Sequence, residues 1–78
     1  MNTTACFRHT RLRADRAWIK DEWIERALRA PVATRIQSDG RVRRWTWVEE
    51  AGKFLRVITL PDGETVHKAF FDRDFPGR

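Results

Sequence analysis

Three short glycine-bearing stretches, SDG at 38–40, EEAGK at 49–53 and PDG at 61–63, cut the second half of this chain into pieces. Glycine accepts the left-handed backbone that a tight reversal demands, and Asp and Pro suit the positions before it. Between the reversals lie VATRIQ, RVRRWTWV, FLRVITL and ETVHKAFF, each of strand length and rich in β-branched or aromatic side chains. This predicts a four-stranded antiparallel meander over residues 32–71.

Side-chain faces follow from the turns. With Gly40 and Gly63 left-handed in three-residue loops, Gln37 faces Arg41 and Leu60 faces Glu64. One face then carries Val32, Ile36, Val42, Val48, Phe54, Ile58, Leu60, Val66 and Phe70, with Arg44, Arg56 and Lys68 among them. The other carries Arg35, Arg41, Arg43, Trp45, Trp47, Leu55, Val57, His67 and Phe71. The first offers more aliphatic surface, so helices are expected against it, leaving the second basic and aromatic. The loop at 49–53 is the weak joint, because a one-residue change of register there exchanges the faces of the last two strands.

Ahead of Pro31 the period changes to helical. In IKDEWIERALRAP the residues Ile19, Trp23, Ile24, Ala27 and Leu28 fall on one stripe, and Pro31 stops the helix. Asp21, Glu22 and Glu25 lead while Arg26 and Arg29 follow, an order that suits the helix dipole. The start lies at Lys20 if Ile19 and Ile24 form a hydrophobic staple, or else at Asp21. TRLRADRA supports a shorter helix, capped by Thr10 and running to Ala17 with an Arg11 to Asp15 pair. The chain therefore reads as one α+β domain over 1–78. A helical part at 10–30, one short helix and one longer, packs on the meander. A loose tail follows at 72–78, with Phe75 its docking candidate.

A chain of 78 residues buries about 60 % of its unfolded surface, so its core is small. With Cys6 its one cysteine, no disulfide compensates, and aromatic packing or a partner subunit must. That usage suits a reducing, cytoplasmic setting. MNTTACFRHT has no apolar stretch of signal-peptide length, and no run approaches the roughly 20 apolar residues of a membrane span, so no membrane association is expected.

Sixteen basic residues against eleven acidic give a net charge of +5, and all but three of the basic residues are arginine. Arginine grips phosphate bidentately and stacks on rings, which favours a phosphate-bearing partner. Arginines beside tryptophans on an open sheet are the combination single-stranded nucleic acid uses, cations holding phosphates while rings stack on bases. Arg35, Trp45, Arg56, Lys68, His9 and Arg13 are the expected RNA-binding residues. RNA cleavage without a metal needs proton-transfer groups near the 2′-hydroxyl and cations around the phosphorane. His67 is the candidate for the first, Arg41 and Arg43 for the second, with His9 and Arg13 in reserve. The alternative for Trp45 and Trp47 is core packing, or a homodimer or heteromeric contact of a non-catalytic module.

Other chemistries find little support. Cys6 and His9 have C-x-x-H spacing, but two histidines and one cysteine make a thin zinc set, and no metal or other cofactor is expected. A glycine-rich phosphate loop, paired catalytic carboxylates and a nucleophile elbow are all missing from the sequence. Glu22, Glu25, Glu49, Glu50, Asp72 and Asp74 read as solvated charges.

The stretches DEWIERAL, SDGRVRRWTWVEE, FLRVITLPDGETVH and AFFDRDF together resemble a widespread family of small bacterial proteins common in cyanobacteria. The likeness runs from about Arg16 to Phe75; these motifs specify the group and no activity. HTRLRADRAWI followed by EWIERAL is also similar, more distantly, to domains related to the RelE and BrnT toxins, in which a histidine precedes arginines, a helix and an antiparallel sheet. His9 and Arg13 match that spacing. The second arginine of the pattern falls at Ala17, with Arg16 one place early, and Phe70 or Phe71 stands where such toxins often use tyrosine. What the resemblance implies is a helices-then-sheet domain acting on translated or ribosome-bound RNA, neutralised by an acidic antitoxin.

Overall fold

The computed structural model describes residues 2–10, 19–73 and 75. The order is α1 (Ala5–Thr10), α2 (Asp21–Arg29), β1 (Ala33–Ile36), β2 (Val42–Val48), β3 (Lys53–Thr59) and β4 (Val66–Phe71). The strands form one antiparallel sheet in chain order, the meander the turns predict. No helix among the described residues is long and apolar enough to cross a membrane.

α2 begins at Asp21. Lys20 is its extended N-cap, with no side-chain cap bond, and its carbonyl accepts from the amides of Trp23 and Ile24. The acidic first turn and basic last turn complement the dipole. Ile19, Trp23, Ile24 and Ala27 are buried against the sheet, and the helix ends at Ala30, just before Pro31.

The first helix differs from expectation. Thr10 is the last residue of α1 and not an N-cap; its hydroxyl donates to the Phe7 carbonyl. The cap is Thr4, whose hydroxyl accepts from the Phe7 amide, and Phe7 is the residue that anchors this short helix in the core. The rest of the helix expected to run to Ala17 lies outside the described residues.

The first hairpin has the expected register: the Gln37 amide donates to the Arg41 carbonyl, and Gly40 has φ of 90°. The expected faces of β3 and β4 are corrected. Val48 pairs with Lys53 across a four-residue loop, so Leu55 and Val57 share the side of Val42 and Val48, while Phe54, Arg56 and Ile58 lie with Trp45 and Trp47. α2 holds that loop: the Trp23 indole donates to Glu50, whose carboxylate is 3.9 Å from Arg26, and Ala51 packs on the core. The other register would place Arg56 and Lys68 beneath the helices, where burying unpaired cations costs far more than aliphatic burial returns.

The second hairpin is also one residue longer than expected. Asp62 accepts from the amides of Glu64 and Thr65 and from the Thr65 hydroxyl, and Leu60 faces Thr65, not Glu64. A bulge then places Val66 opposite Thr59 and Lys68 opposite Ile58, with His67 as the extra residue. Val66, Ala69 and Phe71 consequently pack inward with Val48, Leu55 and Val57, beneath Phe7 and α2.

Candidate nucleic-acid interface

The outer face is organised in rows that run across the strands. In the first, Arg35 pairs with Arg43, Arg43 with Ile58, and Ile58 with Lys68. Neighbouring strands are about 4.8 Å apart, so three cations span about 14 Å of sheet. Like charges directly opposite each other are destabilising, and the fold tolerates one such pair at Arg35 and Arg43. Among the described residues no carboxylate comes within 4 Å of Arg35, Arg43 or Lys68. Arg35 is exposed, and Arg43 and Lys68 are half-buried around the buried Ile58. The Arg43 guanidinium lies against the Gln37 side-chain amide, whose oxygen accepts from Nε and Nη2.

The second row, Ala33, Trp45, Arg56 and Phe70, is internally satisfied. The Arg56 guanidinium lies 5.5 Å from the Trp45 ring centre and 5.0 Å from that of Phe70. Asp72, just beyond β4, accepts from the Trp45 indole at 3.0 Å and from Arg56 Nε at 2.9 Å. Phe75 stacks on Trp45 with centroids 4.7 Å apart and planes 10° off parallel. Trp45 is left 4 % exposed. Of the two expectations for Trp45, an open stacking ring or a packed one, the packed one holds, and Phe75, the docking candidate, covers it. Beyond lie Trp47 and Phe54 in an edge contact at 4.9 Å, with the Trp47 indole donating to Glu49.

His67 stands outside the cation row. Its Nδ1 is 3.2 Å from the Thr4 hydroxyl, at the start of α1, where the bulge aims it. Burial, then the charges of Arg41 and Lys68, hold its pKa below the ordinary histidine value, with Asp39 opposing. These influences favour the neutral ring, in which the single N–H sits on Nδ1 or Nε2 according to whether the Thr4 hydroxyl accepts or donates. Arg41 turns to Asp39, its guanidinium 3.7 Å from the carboxylate and its amide donating to the same side chain.

Of the residues singled out by sequence, the sheet brings together Arg35, Arg43 and Lys68, and separately Trp45 and Arg56. His67 and Arg41 lie near enough to influence each other at the turn end of the sheet. His9 is exposed in the last turn of α1, on the helical side, and Arg13 lies outside the described residues. Sequence reasoning missed Thr4 and Asp72; it named Phe75 as a docking candidate without its partner, Trp45. Asp72 carried a faint signal as an acid directly after an aromatic strand, but which cation it meets depends on β3 register. Glu49 and Glu50, expected to be merely solvated, each accept from a tryptophan.

No protein-family model, curated protein or solved structure matches this chain.

Proposed function

We propose that this chain is a toxin-like RNA-binding protein that holds a phosphate backbone along Arg35, Arg43 and Lys68. The observation that carries the reading is the row itself: three cations in register across four strands, two of them directly opposed, with no carboxylate neighbour among the described residues. A polyanion relieves the repulsion that such a row carries when free. An acidic antitoxin, as the sequence resemblance implies, would neutralise the same row.

The metal-independent endoribonuclease version adds His67 as the proton-transfer group and Arg41 and Arg43 as partners of the phosphorane. Its support is a partly buried histidine within the influence of Arg41. A second reading, a non-catalytic interaction module, has one observation in its favour. β1 is an open sheet edge, and Val32 and Ile36 beside and within it are 56 % and 74 % exposed.

Anisotropy of a labelled single-stranded RNA across a salt series tests the binding reading. Each phosphate contact contributes about 0.7 to the slope of log affinity against log salt, so Arg35→Gln with Arg43→Gln should reduce it by about 1.4. An unchanged slope, or no RNA bound at low salt, overturns the reading. A stable dimer without RNA affinity supports the module instead. Strong expression in cells beside a His67→Ala control decides cleavage: normal growth, with RNA left intact by purified protein, removes the enzymatic version.

A further inference from the structure

The parallel contact between Trp45 and Phe75 differs from every other ring pair among the described residues. Trp23 with Phe71, Trp47 with Phe54 and Phe54 with Phe75 all meet edge to face, at interplanar angles of 63°, 66° and 74°. Edge contacts fill irregular cores well, whereas flat stacking is the geometry in which a nucleobase lies on an indole. The anion beside this pair has a matching place. Asp72 Oδ2 accepts from the Trp45 indole and from both Nε and Nη2 of Arg56, the fork that arginine also offers to a phosphate oxygen.

We propose that Trp45 and Arg56 form a nucleotide subsite, and that the chain's own Phe75 and Asp72 occupy it as an aromatic ring and an anion. The inference rests on the RNA-binding reading and extends it from phosphate contacts to base stacking. The incoming ligand is a single-stranded nucleotide whose base displaces Phe75 and whose phosphate displaces Asp72. The subsite lies one row from the cations, because Arg43 and Trp45 are two residues apart on the same face of β2. A strand held by Arg35, Arg43 and Lys68 therefore passes within reach of Trp45 once the segment moves.

Two features bear on displacing Phe75 and Asp72. The Asp72 amide, donating to the Phe54 carbonyl, is the last ladder bond of the sheet among the described residues. Phe75 itself remains half-exposed, with a shallow cleft on one flank lined by Trp47, Lys53, Phe54 and Arg73. Solvent, and hence a competing base, reaches the ring that covers Trp45 although it does not reach Trp45.

The test compares full-length wild type with Phe75→Ser, using a short labelled single-stranded RNA and, separately, adenosine 5′-monophosphate. Removing a tethered competitor raises apparent affinity by the inverse of the open fraction, so Phe75→Ser should bind the RNA about threefold to tenfold more tightly. The mononucleotide should quench tryptophan emission in Phe75→Ser, and the quenching should vanish in Phe75→Ser with Trp45→Phe. Folding of each variant is checked by its melting curve. Equal or weaker RNA affinity in a folded Phe75→Ser overturns the subsite.

A measurement on the unmodified chain covers the case in which Phe75→Ser does not fold. Bound RNA should speed tryptic cleavage after the exposed Arg73 by displacing the segment, and cleavage slowed or unchanged by RNA counts against displacement. The two readings fail differently. RNA binding that depends on Arg35 and Arg43 but ignores Phe75 leaves the cation row standing and removes the subsite. No RNA affinity in either wild type or Phe75→Ser overturns both.

Discussion

Leu55 and Arg56 are consecutive in β3 and leave the sheet on opposite sides. Leu55 enters a layer closed by Phe7, α2, Val48, Val57, Val66 and Ala69, where the contacts are almost wholly apolar. Arg56 enters a layer closed by Trp45, Phe70 and Asp72, where it meets two ring faces and a carboxylate. The two sides exclude water by different means. Inside, closure comes from separate elements that precede the sheet in the chain. Outside, it comes from a few residues that follow the sheet, next to a row of cations with no carboxylate within 4 Å among the described residues. A small domain can thus concentrate aliphatic burial on one face and close the other with aromatic and charged contacts.

The widest separation between the faces should appear in Leu55→Ala. Truncating a fully buried leucine removes its transfer energy and leaves a cavity, at about 2–5 kcal/mol. For a domain whose total stability is of order 5–15 kcal/mol this is a large share. Urea unfolding should show a much lower midpoint, while the folded fraction keeps its RNA affinity and its salt slope. A loss of affinity beyond the loss of folded protein would mean the faces are not independent.

Asp72→Ala probes the outer closure and should cost less, about 1–3 kcal/mol, because it strands an indole N–H and a partly exposed guanidinium without emptying a core. Asp72→Asn keeps an acceptor for the indole and should recover part of that loss. Tryptophan emission should shift to the red in Asp72→Ala as Trp45 meets water. An effect as large as that of Leu55→Ala would show that the outer closure is core by another route, and the contrast between the faces would break.

How much of this was legible in the sequence follows from where its signals are local. The strands and α2 were legible because glycine-bearing turns and a 3.6-residue stripe are written in contiguous residues. Arg35 opposite Arg43 was legible too, since SDG fixes a three-residue loop on its own. The faces of β3 were not. The parity of EEAGK is set by Glu50 and Ala51 engaging α2, a contact between residues 23 and 50 that no local pattern encodes. The β4 register was hidden for a similar reason, because Asp62 captures two amides and lengthens its loop by one. α1 has a single buried anchor, Phe7, in six residues, too little for a periodic signal. Of the candidate site, the cations were legible as a class, and Lys68 joined the row only through the bulge at His67. Phe75 was legible as a docking residue of the tail, but the rings it meets depend on the β3 face and stayed hidden with it.

That bulge belongs to neither face, and its expected effect is the smallest. Since burial, with Arg41 and Lys68, lowers the His67 pKa in the folded chain, the unfolded chain binds the proton first as the solution is acidified. Stability is therefore fully present above the unfolded histidine value of about 6.5 and falls as pH drops from there towards the lower folded value, where it levels off. Urea unfolding of wild type and His67→Gln through this window isolates the residue, because acidic side chains and His9 contribute equally to both proteins. Wild type should lose stability over the window and His67→Gln should lose less. Parallel pH profiles would mean that folding leaves the His67 pKa where it was, with Asp39 offsetting burial and the charges of Arg41 and Lys68.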